Sequence, residues 1–316
     1  MSVKGLLRGA VDTAIHAEVD LAPQERVDSF GAVMGDPQRQ YILRSGNRIS
    51  GWFYRLDAEI FCSITNYQNR NALDGSVVEI GLHHGKSFIA LCLSLQHEER
   101  AYGIDLFEQQ SLNLEESGKG NKRLVEGNLE AAGVNPSRVV LDARPSTSVT
   151  PGDIVGSVGA VRFFSIDGGH QIDVVRSDLL LAEQTLAEHG VIALDDFLRP
   201  EWPDVSAAYF VWYAQKSRSI VPFAMGCNKL YLCEQSHVAA YQEILRSSEF
   251  LGFFLSKHYN FCGNEIPVYQ RFLQPHWAWK KRAMEYVKLF HPDLYVSYRA
   301  LRSRLRPLHP SRLLRH

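Results

Sequence analysis

Between Val77 and Asp195 the chain alternates short apolar runs with helix-length amphipathic ones, and this limits its fold more than any other feature. The strand candidates are 77–80, 102–105, 139–141, 161–167 and 191–195, all rich in β-branched or aromatic residues. Helical stretches fall between them at 86–96, 122–132, 154–158 and 172–189. Strands joined through helices pair in parallel and are covered on both faces, so they read as unbroken apolar runs. After Asp196 comes a helix near 204–215, then two apolar runs, "SIVPFAMG" and "CNKLYLCE", joined at Gly226. So short a connection makes an antiparallel pair. The expected fold is α/β, a mostly parallel sheet ending in an antiparallel hairpin. Residues 74–235 form that domain. Residues 1–73, with Trp52, Leu56, Ile60, Phe61 and Ile64 at helical spacing, are expected as a helical cap. Residues 236–316 are expected as a helical extension broken by prolines.

A chain of 316 residues, 45% hydrophobic and 22% charged, is long enough for one large or two modest globular domains. Its net charge of −1 excludes a general polyanion binder, so nucleic acid is not the expected partner. The charge is uneven, however: residues 277–316 carry ten Lys/Arg against two Asp/Glu. That tail, with Trp277, Trp279, Tyr286, Phe290, Tyr295 and Tyr298 among its arginines, suits a helix on an anionic surface. A membrane or glycolipid is the sharper partner; docking on the acidic remainder of the chain is the plainer one. A homo-oligomer stays open. No apolar run of 18 residues is present, and Asp12, Glu18 and Asp20 interrupt any signal-peptide core. The five cysteines are odd in number, scattered and without a C-x-x-C pair. The expectation is a reducing, cytoplasmic setting with neither disulfides nor zinc.

The stretch "VVEIGLHHGKS", Val77 to Ser87, has the layout of a strand turning into a helix around a ligand. A dinucleotide turn requires G-x-G-x-x-G, and the second glycine is missing here. A P-loop requires four residues between the glycines, and "GLHHGKS" has three. "VRFFSID" would still serve such a site as its magnesium-holding strand. The third reading takes Glu79 with Gly81 and Gly85 as E-x-G-x-x-x-G. This resembles motif I of class I S-adenosylmethionine-dependent methyltransferases, with His83 at the middle glycine position. The resemblance implies a Rossmann-like methyltransferase sheet and S-adenosylmethionine as cofactor, held by Glu79, Gly81, Gly85 and Ser87. It implies that Asp105, ending the second strand in "AYGIDLF", binds the ribose hydroxyls. It places Asp142 and Ala143, in "VVLDARPS", at the adenine edge; an ordinary turn is the alternative for Asp142. Lys86 is expected to point to solvent or to another carboxylate.

"FFSIDGGH" ends one strand in Asp167, and "VIALDDF" ends the next in Asp195 and Asp196. One right-handed helical crossover sets those strands side by side, at the edge where open α/β sheets bind ligands. Three unpaired carboxylates so close repel one another, and a hard divalent cation such as Mg²⁺ relieves the conflict. The alternative is that Asp195 ends its strand and Asp196 caps the following helix. The segment from "IDGGH" to "LDDF" is similar to methyltransferase family 24 and its Mg²⁺-dependent sugar O-methyltransferases, with cephalosporin-hydroxylase-like proteins as oxidative relatives. That resemblance implies methyl transfer to a hydroxyl of a small-molecule, sugar or glycan acceptor. Asp167 then serves as metal ligand and general base, with His170 as second candidate base or as a residue orienting Asp167. The long polar loop "DLFEQQSLNLEESGKGN" suits a lid carrying Gln109, Asn113 and Lys119, and Trp202 suits stacking on a sugar ring. A solvated loop and a buried structural tryptophan are the plainer alternatives.

Overall fold

Each central strand places one residue on either side of the sheet. In β1 (Ser76–Ile80), Val77 packs into one hydrophobic core while Val78 and Ile80 pack into another. β4 (Val161–Ile166) does the same with Phe163 and Phe164, and β5 (Leu186–Leu194) with Val191 and Ile192. Helices must therefore cover both faces. The computed structural model describes residues 36–113, 115, 117–270 and 294–298. One face carries α1 (Pro37–Leu43), α2 (Arg55–Arg70), α3 (Lys86–Cys92) and α4 (Lys122–Ala131). The other carries α5 (Pro151–Val158), α6 (Ile172–Thr185) and α7 (Pro203–Gln215). In α2, Ile60, Phe61 and Ile64 are completely buried, so this helix is a layer of the main core.

With β2 (Ala101–Ile104), β3 (Val139–Asp142), β6 (Ile220–Met225), β7 (Leu230–Glu234), β8 (Leu255–Phe261) and β9 (Asn264–Tyr269), the sheet runs β3-β2-β1-β4-β5-β7-β6-β9-β8. β1 to β5 are parallel, and β7 lies antiparallel between β5 and β6. This is the mostly parallel sheet with an antiparallel pair that the apolar pattern predicts. Strand order reverses between β1 and β4, which opens a crevice above their carboxyl ends.

Two expectations need correction. The helix expected over 172–189 ends at Thr185, and β5 begins at Leu186, four residues before the Gly190 that precedes its apolar run. A register break between Val161 and Phe163 accommodates the extra residues of β5. The region after Ser236 is not helical throughout. Beyond α8 (Val238–Arg246) and α9 (Glu249–Phe254), β8 (Leu255–Phe261) and β9 (Asn264–Tyr269) form a second hairpin that extends the sheet edge. Its turn carries Cys262 and Gly263 at positive φ, and β8 is mostly exposed, so neither the pattern nor burial marked it from sequence. Residues 27–271 form one compact unit; the second comprises 1–26 and 272–316. In that second unit residues 294–298 are helical, and the rest of the basic tail, like the first 35 residues of the expected cap, lies outside the described residues. Among the described residues no helix is long and apolar enough to cross a membrane.

Candidate active site

The crevice is a cavity of about 570 Å³ whose walls come from the loops after β1, β2, β3, β4 and β5. At one end stands the turn after β1. Gly81 has φ +83°, and a Cβ there would lie 1.7 Å from the carbonyl oxygen of Asp167, so glycine is obligatory. His83 keeps a left-handed φ of +50°, the conformation a middle glycine would supply, and its ring stacks on His84 at 3.8 Å. Asp105 ties this turn to β2: one carboxylate oxygen accepts the backbone N–H of Leu82 (2.7 Å) and His83 (2.9 Å), the other that of Phe107 (2.6 Å). Burial raises the Asp105 pKa against those three amides. Asp105 thus braces the loop and lines the cavity as well.

Of the residues expected at the cofactor, the structure brings Gly81 and Asp105 to the cavity wall and leaves five others off it. Glu79 is fully buried on the face of β1 that also holds Val77, and accepts a hydrogen bond from Ser165 Oγ at 2.9 Å. Burial pushes it up to about 7, against hydrogen bonds from Ser87 and Ser165. Gly85 is the left-handed N-cap of α3 and packs on Val125, with Ser87 in the first turn behind it. Asp142 is held by the Tyr102 hydroxyl and by Arg144 Nε at 2.8 Å. Ala143 gives its carbonyl to Gln109 Nε2 at 2.6 Å. The wall on that side is formed by Arg144, Pro145, Ser146 and Thr147, just beyond the expected pair. Lys86 reaches no acid; it is partly exposed, and its Nζ donates to the Gly51 carbonyl at 3.2 Å. That geometry removes the phosphate-binding lysine a P-loop needs.

The other end is acidic. Asp167, Asp195 and Asp196 do converge on the cavity, as the crossover predicts. None of the three is left without a partner. Leu194 pairs with Leu230 across the antiparallel β5–β7 register, so the next residues outward, Asp195 and Lys229, face each other. The Lys229 ammonium, 2% exposed, makes a short ion pair with Asp195 Oδ2 and lies 3.9 Å from Asp167 Oδ2. Asp195 Oδ1 accepts from Asn228 Nδ2 (2.6 Å) and from the Asp196 amide (2.8 Å). Burial opposes the charge of Lys229, yet Asp195 and Asp167 raise its pKa. Burial and the Asp195 charge drive Asp167 well above the carboxylate range. Behind them Asp57, in the first turn of α2, takes the Tyr231 hydroxyl at 2.8 Å, and burial lifts it to about 6.

Asp196 adopts φ +52°, which directs it away from Asp195 toward His170, with Oδ2 and Nε2 3.1 Å apart. It does not cap α7, whose N-cap is Trp202. The other ring nitrogen of His170 meets Glu115, which also takes the His170 amide at 2.9 Å. Burial works against a charged His170, but the hydrogen bonds to Asp196 and Glu115 raise its pKa. Burial likewise opposes the Asp196 charge, and His170 holds it below its ordinary value. A carboxylate on each nitrogen favours the charged ring, which donates on both sides, so the geometry suits His170 to holding Glu115 and Asp196 in place more than to accepting a proton. Trp202 stacks flat on it, with ring centres 3.9 Å apart and planes at 9°. The long loop does reach the site, through Glu115 and, of the three residues singled out from it, through Asn113. Gln109 and Asn113 bond within their own surroundings, and Lys119 is exposed. Lys229 and Glu115 are the functional residues sequence reasoning missed. The available signal for Lys229 was a lysine entering an apolar strand in "CNKLYLCE".

A family described as a methyltransferase domain, methyltransferase family 24, matches residues 78–197. Residues 78–197 are a domain of this methyltransferase family. The matched segment runs from β1 to the residue after the acidic pair, and so contains both ends of the cavity. No curated protein sequence matches the chain. Among solved structures, the O-methyltransferase NovP is similar at 13% identity and a TM-score of 0.49, over 58% of this chain and 83% of that one. An O-methyltransferase from Bacillus cereus in complex with SAH gives 14% and 0.45, over 72% and 98%. Apo CalS11, a TDP-rhamnose 3'-O-methyltransferase of calicheamicin biosynthesis, gives 13% and 0.44, over 74% and 95%.

The methyltransferase's acids do not fit the magnesium ion expected for them. A hard cation needs free carboxylate oxygens and no competing charge, and on Asp195 three acceptor positions are taken, one of them by the Lys229 ammonium. The repulsion that called for a cation is already answered by Lys229 and His170. Among the described residues no group of three or more potential ligands has metal-binding geometry.

Proposed function

We propose that this methyltransferase transfers the methyl group of S-adenosylmethionine to a hydroxyl of a sugar, glycan or natural product. The observation that carries the reading is the pairing of Asp105 and Asp167 as two walls of one cavity, on either side of the strand-order reversal. The turn at Gly81 admits the donor close to the backbone, and Asp105, with three acceptor positions taken by amides, keeps one on Oδ1 for a ribose hydroxyl. The sulfonium supplies an activated methyl group. Bound there, the donor would give that methyl to an acceptor oxygen and leave as a neutral thioether, and Asp167 would take the hydroxyl proton. Burial and the neighbouring Asp195 charge raise the proton affinity of Asp167, as a proton acceptor requires. Asp195, clamped by Lys229 and Asn228, keeps Asp167 in place, and the Trp202–His170 stack forms a flat wall for a sugar ring. Metal assistance and the oxidative alternative have no part in this reading, because the Lys229 ammonium already stands between Asp195 and Asp167, where a cation would sit.

Calorimetry with S-adenosylmethionine tests it first. Native protein is expected to bind and Asp105→Ala to lose at least about tenfold in affinity, the worth of one charge-assisted hydrogen bond. A labelled methyl donor offered to a panel of hydroxylated sugars then identifies the acceptor. Folded native protein that ignores the donor at millimolar concentration would end the reading.

A further inference from the structure

We infer that Lys229 is the resident cation of the acidic rim, filling the role that a divalent ion would fill among three such aspartates. The inference rests on the methyltransferase reading for its purpose but not for its test. Lys229 is placed by the fold: the β5–β7 register sets it opposite Asp195, and the Gly226 amide donates to its carbonyl at 2.8 Å. Its side chain is 3% exposed, so the ammonium is committed to this spot and does not sample solvent. Carboxylates from three separate elements surround it: Asp195 after β5, Asp167 after β4 and Asp57 at the start of α2. Next to it Asn228 uses one Nδ2 to hold both members of the acidic pair, at 2.6 Å from Asp195 and 3.3 Å from Asp196.

A fixed monovalent cation differs from Mg²⁺ in what it can do. It donates three directed N–H bonds and takes no acceptor oxygen into a coordination shell. Lys229 is therefore a positioning residue: it fixes Asp195 and holds the carboxylate of Asp167 toward the cavity while partly offsetting its charge. It also repels any second cation from the same three acids. Removing the ammonium reverses this. The trio becomes the unpaired oxygen cluster that a hard divalent ion seeks.

The test is Mn²⁺ binding by the full chain, read from the loss of the free-ion electron paramagnetic resonance signal. Native protein is expected to leave Mn²⁺ free up to about 1 mM, whereas folded Lys229→Met takes up one ion at least about tenfold more tightly. Asp195→Asn in the Lys229→Met background removes that gain. One tightly held Mn²⁺ on the native protein, lost in Asp195→Asn, overturns the inference; so does a folded Lys229→Met that binds no better than native. Circular dichroism decides folding. Should Lys229→Met not fold, Lys229→Gln, which keeps a donor, goes through the same titration and is judged by the same two outcomes. Calorimetry with S-adenosylmethionine runs alongside: a native protein that neither binds donor nor Mn²⁺ refutes the methyltransferase reading alone.

Discussion

Two buried cations stand at opposite edges of one sheet, and they are held differently. Arg162, near the amino end of β4, is fully buried among uncharged acceptors and one acid. It donates to Gly75 O, Gln68 Oε1 and both oxygens of Glu99, each at 2.9 Å, and to Ser94 O at 3.0 Å. Lys229, at the carboxyl edge, has three carboxylates about it and a cavity beside it. A cation matched to its acid in a closed set stiffens a fold, whereas one outnumbered by acids leaves negative charge available for chemistry.

The sharpest way to break the comparison is Arg162→Met. It strands Glu99 without its buried partner and is expected to cost about 3–5 kcal/mol of stability in urea unfolding, while folded protein keeps its affinity for S-adenosylmethionine. A parallel fall in affinity would mean that the two edges are coupled. Gly81→Ala acts at the other edge. Its Cβ collides with the Asp167 backbone, so we expect about 2–4 kcal/mol of destabilisation and loss of donor binding by at least about a hundredfold in calorimetry. Asp105→Asn is milder, since its amide oxygen still accepts from the turn; a fall in donor affinity of about tenfold is expected.

The smallest effect is a pH dependence confined to the carboxyl edge and the layer beneath it. Asp57 rises from 3.8 to about 6 and Glu79 from 4.5 to about 7 in the fold. Both values are higher folded than unfolded. Their contribution is therefore complete below about pH 4 and is lost as pH climbs through 6 and 7. Thermal or urea unfolding should show stability falling by about 1 kcal/mol between pH 6 and pH 7. Glu79→Gln should reduce that slope, to which Asp57 and Asp178, the latter raised to about 7 by burial, also contribute, and Arg162→Met should leave it unchanged.

The sheet and its glycine turn were legible because they are written locally. Five apolar runs, the helices between them and the spacing from Glu79 to Asp105 are all short-range signals, and the structure keeps them within a few residues. The convergence of Asp167 with Asp195 was legible too, since one crossover links their strands. What escaped depends on pairings that local pattern does not encode. Lys229 reaches Asp195 only because β7 inserts beside β5 and not at the sheet edge. Glu115 reaches His170 across 55 residues. The magnesium expectation followed from treating the acids as unpaired, and it falls once their partners are counted. Glu79 was assigned to the cofactor by its motif position, yet strand alternation turns it into the core beside Val77.

The insertion of β7 between β5 and β6 also sets an order of assembly. Asp195 leaves the ribosome 34 residues ahead of Lys229, and Asp167 earlier still. A chain grown only as far as β6 holds all three acids of the rim but not the lysine that balances them. The last strand to enter the central sheet therefore brings in the charge that lets its carboxyl edge close.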